Sequence, residues 1–198
     1  MPIRMLCALF ALLSLTPARA FAQPDPVRVW AEASTPTARP GDQGVLAIIF
    51  DHDEGWHVNL NQPVVPAAMA GFTPIPTEIH PEPADGVSFG RVQWPEPYAA
   101  EVDFMFTGKP VEFLVYAGRA VAFVPFRVAD DAAPGERTLT VTVSFQACDD
   151  SVCLPPVSTE VGAALLIDPG AAAATPGPDF AGFDPTVFAD PDAWGGSI

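Results

Sequence analysis

Proline limits the fold of this chain more than any other residue type. The sequence has 24 prolines among 198 residues, and eight of them lie between positions 63 and 97. A proline inside a helix removes a backbone donor and clashes with the preceding turn, so a long helix is excluded where prolines are this dense. The chain therefore predicts an all-β domain built from short strands and turns.

Alternation of apolar and polar residues with a period of two marks the strands. Residues 27–33 alternate in this way, and residues 44–50 form a short apolar run after a turn. Further strands are predicted at 55–59, 77–80, 87–92, 111–117, 120–128, 137–145 and 158–167. About seven to nine short strands separated by turns are typical of an antiparallel β-sandwich of the immunoglobulin type.

The strand predicted at 137–145 leads to the first of two neighbouring cysteines, Cys148. Threonine or serine occupies one face of this strand, and apolar residues occupy the other. The residues of the apolar face are Leu139, Val141, Val143 and Phe145. We therefore expect a strand that is buried on one face only and whose end positions Cys148.

The first 22 residues have the features of a secretory signal peptide. They combine a basic start, an apolar run over 5–15 and a small-x-small cleavage site at 20–22. The apolar run is shorter than the roughly 20 residues that a membrane-spanning helix needs. We therefore predict an exported protein without a membrane span, with a β-sandwich domain over 23–167.

Residues 168–198 differ in composition from the rest of the chain. They are rich in Ala, Gly, Pro and Asp, with Phe180, Phe183, Phe188 and Trp194 scattered among them. This composition predicts a disordered acidic tail. The aromatic side chains could fold back on the domain or contact a partner, and the sequence favours neither.

The charge of the chain is strongly acidic. It has 24 acidic and 9 basic residues and a formal net charge of −15, which becomes −17 when Arg4 and Arg19 leave with the signal peptide. Without a basic patch to neutralise phosphates, nucleic acid is excluded as a partner. The acidity favours solubility and could steer a basic protein partner toward the domain.

Only Cys148 and Cys153 remain as thiols once Cys7 is removed with the signal peptide. A structural disulfide is one reading, although closing so short a loop removes only about 2 kcal/mol of unfolded-state entropy. A metal site is another, but the three histidines have no ligand spacing and no metal is predicted. Reversible thiol–disulfide exchange is the third reading, and it needs a reachable sulfur and no further cofactor.

Asp149 and Asp150 bear on the third reading because they place negative charge beside both sulfurs. Nearby carboxylates are expected to raise the pKa of a thiol, which makes the reduced pair a poor nucleophile until it docks with its proper partner. The two aspartates are therefore candidate tuning residues.

The motif Gln-Ala-Cys-Asp-Asp-Ser-Val-Cys-Leu-Pro-Pro at 146–156 resembles the N-terminal periplasmic domain of DsbD-type thiol:disulfide interchange proteins. Supporting matches are Gly-Trp-His-Val-Asn at 55–59, Trp-Pro at 94–95 and Val-Tyr-Ala-Gly at 115–118. The resemblance covers about 27–167. It implies an immunoglobulin-like domain that takes electrons from a membrane-embedded donor and passes them to oxidised periplasmic thiol proteins.

The resemblance also implies roles for single residues. Cys153 looks like the cysteine that forms mixed disulfides with partners, and Cys148 like the one that resolves them. The family shields its cysteines under an aromatic cap loop, for which Phe104 and Phe106 are the candidates. His57 occupies a position where family members carry a tyrosine near the site, so it is a candidate supporting residue.

The sequence departs from the family pattern in two ways. Four residues separate the cysteines, one fewer than in other members, and no membrane domain follows before Ile198. We therefore predict a periplasmic redox carrier, a component of a protein-disulfide reductase system, whose membrane-embedded donor acts in trans. The alternative is a secreted immunoglobulin-like interaction module with an inert disulfide.

Overall fold

The computed structural model describes residues 25–102 and 108–194. Twelve strands in these residues form three four-stranded sheets. The first sheet has the order β1 (Val27–Ala33), β3 (Gln43–His52), β9 (Arg119–Val128) and β6 (Val87–Phe89). The second has the order β2 (Thr37–Ala38), β12 (Val157–Ile167), β10 (Gly135–Phe145) and β5 (Glu78–Pro81). The third has the order β11 (Ala147–Cys148), β4 (His57–Asn59), β8 (Val111–Ala117) and β7 (Tyr98–Val102).

The strand pairs are antiparallel apart from β2 and β12, which run parallel. Side chains from the first and second sheets share one core. Its fully buried members include Leu46, Ile48, Phe50, Val124, Phe126, Leu139, Val141, Val143, Leu165 and Ile167. Each such side chain contributes about 1.5–3 kcal/mol on burial. The prediction of an all-β immunoglobulin-like sandwich is confirmed.

The one-sided strand predicted at 137–145 is also confirmed. The four apolar residues of β10 are at most 4% exposed, and the residues between them are partly exposed. Three strands were not predicted, namely β2, β7 and β11. Two of them are only two residues long, and β7, with the sequence Tyr-Ala-Ala-Glu-Val, lacks an apolar alternation.

Strand β3 is buried on both of its faces. Leu46, Ile48 and Phe50 point into the main core, whereas Val45, Ala47 and Ile49 belong to a second cluster with Phe123 of β9. Phe180, Phe183 and Phe188 cover this second cluster. An apolar strand of this kind needs cover on both sides of its sheet, and the C-terminal segment provides the second cover.

A disordered tail was predicted over 168–198, but residues 178–194 of this segment have a defined fold in the structure. It forms three short 3-10 helices, Pro178–Phe180, Pro185–Ala189 and Pro191–Ala193, that lie on the outer face of the first sheet. The sequence left open whether its aromatic side chains fold back on the domain or contact a partner. In the structure they fold back on the domain. Composition alone could not reveal this because the cover depends on the exposed face of β3.

Polar contacts fix the same segment in place. Arg91 pairs with Asp190 at 2.9 Å, and Arg119 pairs with Asp179 at 2.8 Å. The guanidinium of Arg127 lies 3.8 Å from the centroid of the Trp194 ring. These ion pairs are partly exposed and each contributes little, so the aromatic burial supplies most of the stabilisation.

No helix in the described part of the chain is long and apolar enough to cross a membrane.

Candidate functional site

The two cysteines lie at the neck of a hairpin that follows β10. They form a disulfide, and their Cα atoms are 4.0 Å apart. Two backbone hydrogen bonds of 2.9 Å flank the pair, from Leu154 N–H to the Ala147 carbonyl and from Asp149 N–H to the Val152 carbonyl. Cys148 and Cys153 are thus a non-hydrogen-bonded antiparallel pair, in which side chains approach closely. The disulfide closes the four-residue loop 149–152.

The two sulfur-bearing residues differ in exposure. Cys148 is fully buried, with 0% of its surface exposed, whereas Cys153 is partly exposed. Thiol–disulfide exchange requires a thiolate to reach one sulfur of the bond. Of the two residues, Cys153 is therefore the more accessible to an incoming thiolate.

Asp149 and Asp150 are both in the loop, but they make different contacts. The Asp149 carboxylate accepts hydrogen bonds of 2.7 Å from the backbone N–H groups of Ser151 and Val152. The Asp150 carboxylate accepts one of 2.7 Å from the Ser151 hydroxyl. Asp149 thus stabilises the turn itself, a role that its position in the sequence did not reveal.

A substitution series can separate the turn from the charge. Asp149→Ala removes the acceptor for two loop N–H groups, so we expect a loss of about 1 kcal/mol in the free energy of unfolding. Asp149→Asn keeps an acceptor oxygen and is expected to lose less than half of this. Both variants remove a negative charge and should speed alkylation of the reduced protein near neutral pH.

Chemical denaturation and the rate of iodoacetamide alkylation are the two measurements, with Asp150→Ala as the control for loss of charge without loss of the turn. Equal stability losses for Asp149→Ala and Asp149→Asn would contradict the role in the turn. Unchanged alkylation rates in all three variants would contradict the predicted electrostatic tuning.

A cavity of about 680 Å³ borders the disulfide loop. It is lined by the turn between β3 and β4, by β7, by the end of β8 and by the first two residues of the loop. Its lining includes five carboxylic acids, Asp53, Glu54, Glu101, Asp149 and Asp150. Neither lysine nor arginine is found among the described residues that line it. A molecule that approaches the disulfide from this side meets a negative surface.

His57 lies on β4 directly opposite Cys148. Residues paired in this way point to the same face of a sheet, with Cβ atoms about 4.5–5.5 Å apart. The ring is 4% exposed, and its Nε2 makes no hydrogen bond within the described residues. Burial lowers the pKa of His57 to about 4, with a further lowering by His52 and an opposing effect of Asp149. The ring is therefore neutral near pH 7.

His52 lies at the end of β3 and lines the same cavity. Its Nδ1 is 2.6 Å from the Gly118 carbonyl, which can only accept, so the Nδ1 carries the hydrogen. Its Nε2 has no partner within the described residues, and burial lowers its pKa. Sequence reasoning missed His52 because it lies in the polar run 51–54, which has the composition of a simple turn. In the described part of the chain, no group of three or more His, Cys, Asp or Glu could hold a metal ion.

The remaining predicted site residues are Phe104 and Phe106, and both lie outside the described residues. The strand that precedes them, β7, contributes Tyr98, Ala100 and Glu101 to the cavity. The structure thus brings Cys148, Cys153, His57 and the two aspartates together, and the lid role of the phenylalanines stays a prediction.

A β-sandwich that holds a two-cysteine disulfide at the end of a strand, with one cysteine partly exposed, has the arrangement that a thiol–disulfide exchange domain requires. The family model described as thiol:disulfide interchange protein DsbD, N-terminal, matches residues 23–164. The chain belongs to this family, which confirms the resemblance of the cysteine motif.

Solved structures provide further comparisons. The N-terminal periplasmic domain of ScsB from Proteus mirabilis matches with 17% identity and a TM-score of 0.46, over 81% of this chain and 52% of that one. The chain thus spans about half the length of the ScsB structure. The N-terminal domain of Neisseria meningitidis DsbD in the reduced form matches with 19% identity and a TM-score of 0.38, over 71% of this chain and 90% of that one. No curated protein matches the sequence.

Proposed function

We propose that this domain is a periplasmic electron carrier, which accepts electrons from a membrane-embedded thiol donor acting in trans and reduces oxidised periplasmic proteins. One observation carries the proposal: the disulfide joins a partly exposed Cys153 to a fully buried Cys148. A structural bridge gains nothing from this difference, whereas a carrier needs one sulfur that partners reach and one that they do not. Membership of the DsbD N-terminal family supports the same reading.

The reductive half of the cycle begins when a thiolate of the donor attacks the Cys153 sulfur. A bond forms between the donor and Cys153, and the bond between Cys153 and Cys148 breaks. Cys148 leaves with the electron pair and takes up a proton. The donor's second thiol then attacks the donor sulfur that is bonded to Cys153. The donor leaves with an internal disulfide, and Cys153 is left as a thiol.

The oxidative half reverses these roles. The Cys153 thiolate attacks a disulfide of the acceptor protein and forms a mixed disulfide. Cys148 then attacks Cys153, which restores the internal disulfide and releases the acceptor as a dithiol. Two electrons and two protons pass to the acceptor in each cycle, and the cysteine pair is the only redox group that the scheme requires.

The reduction potential of the cysteine pair tests this function. We expect the folded protein to be reduced in glutathione or dithiothreitol buffers at a potential well above roughly −300 mV, below which structural disulfides of secreted proteins lie. Free thiols are counted after equilibration, and circular dichroism shows whether the sandwich stays folded. The double variant Cys148→Ser/Cys153→Ser has neither thiol and provides the background value for the thiol count. A disulfide that is reduced only when the domain unfolds would support the inert interaction module instead.

A further inference from the structure

A buried histidine whose Nε2 has no hydrogen-bond partner within the described residues is paired with the sheltered cysteine on the neighbouring strand. Resting on the proposed function, we propose that His57 accepts the proton of the Cys148 thiol when the reduced domain resolves its mixed disulfide. His57 would then be the base that allows a buried thiol to act as a nucleophile. The exchange steps described for the proposed function involve only sulfur atoms and assign no role to His57.

The register of the third sheet places the two groups together. β4 lies between β11 and β8, and His57 is paired with Cys148 on one side and with Ala117 on the other. The methyl group of Ala117 contributes no donor or acceptor. Of the two residues paired with His57 in this sheet, Cys148 is therefore the one that can exchange a proton with the ring. Cys148 is 0% exposed and His57 is 4% exposed, so bulk water has poor access to the thiol. The imidazole of His57, whose Nε2 lacks a partner within the described residues, is the nearby titratable group that this register supplies.

The electrostatic surroundings make this transfer feasible. The cavity that His57 lines also receives titratable side chains from each neighbouring element: His52 of β3, Asp53 and Glu54 of the next turn, Tyr98 and Glu101 of β7, and Asp149 and Asp150 after β11. Burial lowers the pKa of His57 to about 4, which keeps the ring neutral but makes it a weak base, so the transfer depends on stabilisation of the imidazolium by the thiolate beside it. A thiolate that forms beside the ring favours its protonated form, so the pair arises without a change in net charge.

The step balances as a proton transfer coupled to disulfide exchange. The Cys148 thiol passes its proton to His57 Nε2, and the Cys148 sulfur forms a bond with the Cys153 sulfur. The bond between Cys153 and the acceptor breaks, and the acceptor sulfur leaves with the electron pair. The acceptor thiolate then takes the proton from the imidazolium, which returns the ring to its neutral state.

A neutral disulfide probe, 4,4′-dithiodipyridine, resolves the two steps, and its lack of charge avoids repulsion by the acidic cavity. Mixed with the reduced full-length mature protein, it should release one thiopyridone when Cys153 attacks and a second when Cys148 resolves the adduct. In His57→Gln we expect the first release to be unchanged and the second to be roughly tenfold slower or more at neutral pH. His80→Gln is the matched control, because His80 is a partly exposed histidine on β5 whose side chain bonds only with Glu78 in the described part of the chain.

The pH profile separates a proton acceptor from a residue that only packs. In the wild type, the proton moves within the pair, so the second release should change little between about pH 5.5 and 8. In His57→Gln, the reactive thiolate must form by loss of a proton to solvent, so the rate should rise about tenfold for each pH unit. Equal rates and equal pH profiles in the wild type and His57→Gln would overturn the inference and leave the proposed function standing. A wild-type protein that cannot be reduced while folded would instead overturn the proposed function.

A measurement on the wild type covers the case in which His57→Gln does not fold. The ring nitrogen resonances of His57, followed by nuclear magnetic resonance, should gain a titration step at alkaline pH in the reduced protein as Cys148 ionises. The oxidised protein should lack this step, because the disulfide does not titrate. Identical titration curves for both forms would overturn the inference.

Discussion

Cys153→Ser is expected to abolish exchange, whereas Cys148→Ser is expected to trap the domain in a covalent complex. In Cys153→Ser, the remaining thiol belongs to a residue with 0% exposure, so neither a donor nor an acceptor reaches it. In Cys148→Ser, the exposed thiol still attacks a disulfide, but no second thiol resolves the product. The mixed disulfide should then persist for roughly minutes to hours, the range of uncatalysed disulfide rearrangement.

Mass spectrometry after mixing each reduced variant with oxidised glutathione measures the adduct directly. We expect a stable glutathione adduct on Cys148→Ser, little or none on Cys153→Ser, and no lasting adduct on the wild type. The rate of alkylation by iodoacetamide provides the control for access, since it should be higher for Cys148→Ser than for Cys153→Ser. Adducts of equal yield on the two single variants would contradict the assigned roles of the two cysteines.

Phe183→Ala/Phe188→Ala is expected to destabilise the domain more than any surface change. Both rings pack on the outer face of the first sheet, where they contact each other and cover Ile49 and Phe123. Each partly buried ring should contribute about 2 kcal/mol, so the double variant should lose about 4 kcal/mol. For a domain of this size, this loss corresponds to a fall in Tm of roughly 10 °C.

Thermal unfolding followed by circular dichroism tests this expectation. Arg91→Gln is the control, because it breaks the exposed ion pair with Asp190 and should cost less than about 1 kcal/mol. No residue of the described C-terminal segment lines the cavity beside the disulfide, so the exchange rate of the folded double variant should match that of the wild type. A Tm within about 2 °C of the wild type would show that the aromatic cover is not needed for stability.

The fold was predictable from the sequence where each strand carries its own signal. Strand β10 alternates over its whole length, and β3 is a continuous apolar run, so both were found almost to their observed ends. The cover supplied by Phe180, Phe183 and Phe188 was not predictable, because it depends on a sheet face that exists only after folding. An apolar run as long as β3 was the one signal that both faces of the first sheet would need burial.

The site was predictable to the extent that its residues are close in sequence. The motif around Cys148 and Cys153 identified the chemistry, and the family pattern pointed to His57. The cavity was not predictable, because His52, Tyr98 and Glu101 come from distant strands that meet only in the folded protein. The turn made by Asp149 depends on the direction of its carboxylate, which sequence does not record.

The two backbone hydrogen bonds at the neck of the hairpin have a consequence for the order of events in the cycle. They join main-chain atoms of Ala147, Asp149, Val152 and Leu154, and neither involves a sulfur. We therefore expect the hairpin to stay closed when the disulfide breaks, so that the oxidised and reduced domains present nearly the same surface. In the proposed electron-carrier function, the donor and the acceptor would then compete for one face of the molecule. For a carrier of this design, turnover follows a ping-pong scheme, in which the first partner departs before the second can bind.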